Sequence, residues 1–220
     1  MKKKAILALG FLPLIVFAAD DQQIPLESSD YITTDVGATY TYVYNHLDKP
    51  TKLTPAFDLT VKNCNENKTK CVYETKTSLG RDKPYISNES VYELKDGVVY
   101  FGNSKVADQD GKLQSLDFKL QPLFPKHIIL NKVDKINSSN DMSHTTGTSE
   151  FTKVIPEIVV NDNTYKDCIR MDNNTKQCYK KDYGGDCYHT IDYEIYCKGI
   201  GLVTENVDGD TLLLEKITKK

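Results

Sequence analysis

The sequence predicts an all-β domain: a single curved antiparallel sheet, or an open or flattened barrel, built from meander hairpins and held by disulfide bonds. Three observations carry this. Runs rich in Tyr, Val, Ile and Thr alternate with polar residues at period two and are separated by short turn signals. All six cysteines fall after an apolar N-terminal stretch. No long amphipathic helix pattern follows that stretch.

The first strand is Thr39-Tyr-Thr-Tyr-Val-Tyr44, dense in aromatic and β-branched residues. Phe57-Asp-Leu-Thr-Val61 alternates apolar and polar, as a half-buried strand does. Cys71 to Thr77 follows across the polar loop 65–70. The next unit is a hairpin over Val91–Phe101, pivoting on Asp96-Gly97, because both central residues of a two-residue turn need positive φ. That pivot sets Leu94 opposite Val99, Tyr92 opposite Phe101 and Glu93 opposite Tyr100. The first four share the core face.

The apolar stretch Leu113–Leu130, with Pro122 and Pro125, reads as a crossing segment plus a strand. Residues 131–149 are polar and read as loop-like. Strand character resumes at 151–160 and continues through 165–171, 177–181, 187–197, 202–207 and 211–217. The turn signals between the last elements are Asn173-Asn174, Gly184-Gly185, Gly199-Ile-Gly201 and Asp208-Gly209. On the strand from Cys187, one face carries Ile191, Tyr193 and Ile195. The other carries Thr190, Asp192 and Glu194.

Residues 1–18 have the pattern of a cleaved secretory signal peptide. Lys2, Lys3 and Lys4 form a basic head, Ala5–Ala18 an apolar core, and Val16 and Ala18 the small residues before the cut. A membrane span needs about 20 apolar residues; this stretch is shorter and contains Pro13. No cysteine lies at the cut to take a lipid, and no later segment is apolar enough to span. Residues 19–30 read as a flexible leader and 31–220 as a single β-rich domain of ordinary size. Loss of the three lysines shifts the formal net charge from -3 to -6. A mildly acidic chain without a basic patch is a poor fit to nucleic acid.

An even number of cysteines in an exported chain implies disulfides. Cys64 and Cys71 are distant from the rest and flank one polar loop, so a local bridge is the simplest reading. If Cys187 to Cys197 is one strand, its ends lie about 33 Å apart, far beyond disulfide reach. That removes Cys187–Cys197 and its complement Cys168–Cys178. Two pairings of the four remain open; the nested one, Cys168–Cys197 around Cys178–Cys187, needs no crossing and is preferred. Zinc fits less well, since only Cys187 and His189 are closely spaced and no second pair matches them.

No residue presents itself as catalytic, cofactor-binding or metal-ligating. His46, His127, His144 and His189 each stand alone in sequence. Cys187 and His189 share a strand face, yet the even cysteine count assigns Cys187 to a bridge. Asp108-Gln-Asp-Gly-Lys112 lacks the remaining ligands of a calcium loop and reads as a turn.

Three segments resemble a loosely defined family of bacterial exported β-sheet proteins and lipoproteins without assigned activity. Val36-Gly-Ala-Thr-Tyr-Thr-Tyr42 is similar to its opening Gly-x-x-aromatic-x-Tyr strand. Tyr165-Lys-Asp-Cys-Ile169 is similar to a second-half strand. Tyr196-Cys-Lys-Gly-Ile-Gly-Leu-Val203 is similar to its closing Gly-x-Gly-Leu-Val turn. The resemblance implies a curved antiparallel sheet and no particular chemistry. The chain departs from the family in lacking a lipid-bearing cysteine, in having Tyr where Trp is usual, and in its extra cysteines.

The expected function is therefore non-enzymatic: a soluble periplasmic protein of the bacterial envelope that binds another exported protein, as an inhibitor, immunity or assembly factor, since tyrosine-rich strands suit interfaces. The alternative is a carrier holding a lipid or other apolar ligand on a concave sheet face. A hydrolase with an unrecognised site ranks third.

Overall fold

The computed structural model describes residues 26–48, 52–78, 83–108, 110–116, 120–139, 143–181, 184–207 and 209–219. The expected signal peptide lies outside them. Fifteen strands follow in order: β1 Leu26–Glu27, β2 Ala38–Asn45, β3 Leu53–Cys64, β4 Lys70–Thr77, β5 Tyr85–Lys95, β6 Val98–Ala107, β7 Leu113–Ser115 and β8 Gln121–Phe124, then β9 His127–Ile128, β10 Val133–Ser139, β11 Ser143–Val160, β12 Asn163–Tyr179, β13 Cys187–Cys197, β14 Gly201–Val207 and β15 Asp210–Lys219. A 3-10 turn, Ser28–Tyr31, sits between β1 and β2.

Thirteen strands make one antiparallel sheet in the order β10-β11-β12-β13-β14-β15-β2-β3-β4-β5-β6-β7, with β8 also on β6. The chain meanders outward from β2 to β7, crosses to the opposite edge, and meanders back from β10 to β15, which pairs with β2. The apolar stretch 113–130 is the crossing, and it carries three short strands rather than one. Register shifts interrupt eight ladders among the described residues, among them β2–β3 at Tyr42/Val43 and β13–β14 at Ile195/Tyr196. Each such bulge bends its strand and adds twist, so the sheet curls without closing into a barrel.

Phe124 measures the curl. It pairs with Val99 on β6, yet its ring meets Phe151 of β11 at 5.7 Å and Tyr196 of β13 at 4.8 Å. Strands far apart in sheet order thus converge on one side chain, which is 1% exposed. The buried core follows the inner face, through Tyr40, Tyr42, Val61, Tyr73, Tyr92, Val99 and Tyr196.

The hairpin over Val91–Phe101 has the expected register, with Leu94 opposite Val99 and Tyr92 opposite Phe101. Asp96 and Gly97 both have positive φ, 53° and 82°. The disulfides are Cys64–Cys71, Cys168–Cys197 and Cys178–Cys187, the nested arrangement. Each joins residues directly opposite in an antiparallel ladder, with Cα atoms 4.0 Å apart.

Three expectations need correction. Residues 131–149 are mostly strand: β10 pairs with β11 from Val133↔Glu150 to Ser139↔His144. A ladder is made by backbone groups, and Ser/Thr-rich strands can pair without a face to bury. Asn173-Asn174 is no turn but the middle of the 17-residue β12. Both amides serve cross-strand bonds: Asn173 Nδ2 donates to Asp192 Oδ1 at 2.7 Å, and Asn174 Oδ1 lies 2.7 Å from His189 Nε2. Finally, residues 26–30, read as leader, are held. Leu26 and Glu27 pair with Ile128 and His127, and fully buried Ser28 donates to the Pro125 carbonyl.

Candidate functional site

The inner face of β2–β6 forms the wall of a cavity of about 520 Å³, within the range usual for small-molecule sites. Strand periodicity and register build it in rows. Tyr42 faces Phe57, with ring centroids 4.8 Å apart. Leu59 faces Thr75, which faces Asn88. Tyr73 faces Ser90, which faces Asn103. Tyr92 faces Phe101. The cavity therefore has an apolar aromatic end at β2–β3 and a short polar strip crossing β4–β6.

The roof comes from elsewhere in the chain. Residues 31–33, Leu123 of β8 and the turn 200–202 close over the wall. Tyrosine hydroxyls fasten it. Tyr73 Oη donates to the Thr33 carbonyl at 2.6 Å, Tyr42 Oη donates to the Leu202 carbonyl at 2.8 Å, and the Thr33 hydroxyl is hydrogen-bonded to that of Tyr40. Gly199 N donates to the Asp30 carbonyl at 2.7 Å. Burial pushes the Tyr42 and Tyr73 hydroxyls far above the ordinary tyrosine range, so both stay protonated donors. None of the described residues lining the cavity is charged. In the polar strip, Ser90 Oγ donates to Asn103 Oδ1 at 2.8 Å, while Asn88 Oδ1 is buried without a hydrogen-bond partner.

An acidic group adjoins the wall at Tyr196. Its hydroxyl donates to Glu194 Oε2 at 2.6 Å. Glu194 faces Glu205 across β13–β14. Burial, with repulsion from Glu205 and Asp192, pushes the Glu194 carboxyl up to about 7 despite the Tyr196 bond. Burial and Asp192 also raise Glu205.

The histidines are not alone after all. His46 Nδ1 lies 3.0 Å from Asp210 Oδ2 and its Nε2 lies 2.8 Å from Thr54 Oγ1, while Asp210 Oδ1 accepts the Leu47 N–H at 3.0 Å. Acid, imidazole and hydroxyl in that order resemble a hydrolase triad. None of the three lines the cavity, and their bonds tie the ends of β2, β3 and β15 together. His127 bonds Glu27 at 2.9 Å and His144 bonds Ser139 at 2.6 Å. The Asp108 turn closes on itself, with Asp108 Oδ1 accepting from Asp110 N and Lys112 N. Among the described residues, no three His, Cys, Asp or Glu side chains converge as metal ligands. No helix there is long and apolar enough to cross a membrane.

Sequence reasoning missed the cavity and its polar strip. The signal was present: Asn88 and Ser90 are in phase with Tyr92 and Leu94, so period two already places two polar side chains on a core face.

No protein-family model matches the sequence, and no curated protein does. Two solved structures share the fold. One is a protein inferred to be exported, with a YmcC-like fold, from Bacteroides fragilis NCTC 9343. It is 13% identical with a TM-score of 0.53, over 86% of this chain and 99% of that one. The other is an inferred lipoprotein from Parabacteroides distasonis ATCC 8503, 12% identical with a TM-score of 0.54, over 86% of this chain and 98% of that one. The likeness extends over nearly the whole of both neighbours, and at these identities it establishes the architecture alone.

Proposed function

We propose that the chain is an exported, non-enzymatic periplasmic protein that carries an apolar or amphipathic small molecule in the cavity on its inner sheet face. The observation that carries this is the walled cavity itself: about 520 Å³, lined by aromatic and aliphatic side chains with a small polar strip. Export rests on the N-terminal signal pattern and on the three disulfides, which persist in oxidising compartments. The fold neighbours, inferred to be an exported protein and a lipoprotein, agree with it.

The protein-binding reading drew on tyrosine-rich strands. Its support weakens because Tyr40, Tyr42, Tyr73, Tyr92 and Tyr196 are all under 9% exposed and face the core and cavity. The chain contains no Trp, so Phe57→Trp would place a single indole in the cavity wall as a reporter. Saturable, one-to-one change of its emission on titration with decan-1-ol is the expected result. Unchanged emission, together with ester turnover that disappears in His46→Ala, would instead favour a hydrolase built on Asp210, His46 and Thr54.

A further inference from the structure

We propose that the cavity takes a cationic amphiphile, an alkyl chain ending in a methylated ammonium group, and that the faces of its aromatic rings hold this cationic end on the side toward Tyr196. This rests on the cavity being a ligand site, and it names the class of ligand.

The argument begins with what the aromatic wall presents. Tyr42, Phe57, Tyr73, Tyr92, Phe101 and Tyr196 all line the cavity. Three of the hydroxyls are already engaged. Tyr42 Oη donates to the Leu202 carbonyl at 2.8 Å, Tyr73 Oη to the Thr33 carbonyl at 2.6 Å and Tyr196 Oη to Glu194 Oε2 at 2.6 Å. A phenol has one proton to donate, so toward a ligand these residues offer ring rather than donor. The face of an aromatic ring is the negative part of its quadrupole and attracts cations. A phenol that donates its proton to an acceptor keeps more electron density on its ring, which strengthens that attraction.

Charge points the same way. The described lining residues include no lysine, arginine or histidine. No side chain therefore takes the place of a ligand cation, and none would neutralise a buried anion. At the outer end of Tyr196, Glu194 faces Glu205 across β13–β14. Among the described residues neither acid forms an ion pair. Burial pushes both carboxyls up, and a cation against the Tyr196 ring favours their ionised form.

The methyl groups follow from hydration. A bare ammonium is strongly hydrated and brings three donors that need acceptors. A methylated ammonium gives up water more readily and presents C–H groups, which suit ring faces. Leu59 and Leu123, which also line the cavity, take the alkyl chain.

The test compares decyltrimethylammonium, decan-1-ol and decanoate, which differ in the charge of the head group. Each displaces the neutral fluorophore N-phenyl-1-naphthylamine from the full mature chain, in about 0.5 M salt to screen attraction to the acidic surface. The ammonium compound is expected to displace the dye at concentrations about tenfold lower than decan-1-ol, with decanoate the weakest. Phe57→Leu keeps an apolar side chain and breaks no hydrogen bond of the roof. It should bring the ammonium compound and the alcohol within about threefold of each other. Equal displacement by the two in wild type, or preference for the alcohol or decanoate, overturns the cationic class while leaving the carrier reading intact. An ammonium preference unchanged in Phe57→Leu overturns the assignment of the head to the ring faces. Failure of the dye to bind, and of every compound to bind by calorimetry, overturns the carrier reading itself. The wild-type series decides the ligand class whether or not the variant folds.

Discussion

The ring of Phe124 meets the ring of Tyr196 edge-on, with centroids 4.8 Å apart and planes at 85°. One belongs to the segment that crosses the sheet and the other to a strand on its far half. Their contact holds the curl that makes the inner face a cavity. Phe124→Ala should cost about 3–5 kcal/mol, because it empties a site that is 1% exposed and removes two aromatic contacts. Urea denaturation measures it. A loss below about 1 kcal/mol would mean that the crossing segment does not hold the two halves.

The two bridges between β12 and β13 should differ. Cys168 and Cys197 are fully buried and 29 residues apart, whereas Cys178 and Cys187 are 9 apart at an exposed end. By loop entropy, removing the first pair costs about 3.6 kcal/mol and the second about 2.5 kcal/mol. Replacement of each pair by alanine, followed by thermal unfolding, should show the larger drop for Cys168/Cys197. Equal or reversed drops would count against this ordering.

Glu194 should make stability depend on pH. Its folded value is about 7, raised from 4.5, so between those values the folded protein binds more protons than the unfolded chain. Stability is then highest at and below the unfolded value, falls as pH rises through that window, and levels off above the folded value. Glu194→Gln mimics the protonated form. It should match wild type near the acid end and exceed it by on the order of 2–3 kcal/mol at mildly alkaline pH. Parallel unfolding curves of the two proteins at every pH would contradict the assignment.

The Asp96-Gly97 hairpin offers a local test. Lys95 stands opposite Val98 beside the turn. Lys95→Pro removes a backbone donor there and should cost roughly 1–3 kcal/mol. An unchanged melting temperature would speak against the ladder at this position.

These residues also mark how far the sequence could be read. Period two and turn chemistry are local, so the register from Tyr92 to Phe101 was legible. So was the failure of a Cys187–Cys197 bridge, which follows from strand length alone. The β10–β11 hairpin was not, because residues 143–150 are paired by backbone groups and have no continuous apolar face. Nor were the histidine partners: His46 and Asp210 are 164 residues apart and meet only because β15 returns to β2. The cavity was hidden for the same reason. Its roof depends on where residues 31–33 and Leu123 come to rest, and no pattern within those segments states that.

The central claim is that a small amphipathic molecule occupies the inner face of the sheet. Nuclear Overhauser contacts between ¹³C-labelled decan-1-ol and the protein test it most directly. The account predicts contacts from the alkyl chain to the rings of Tyr42 and Phe57. Contacts confined to exposed Tyr188 and Ile191 on β13, or no contacts at saturating alcohol, would contradict it.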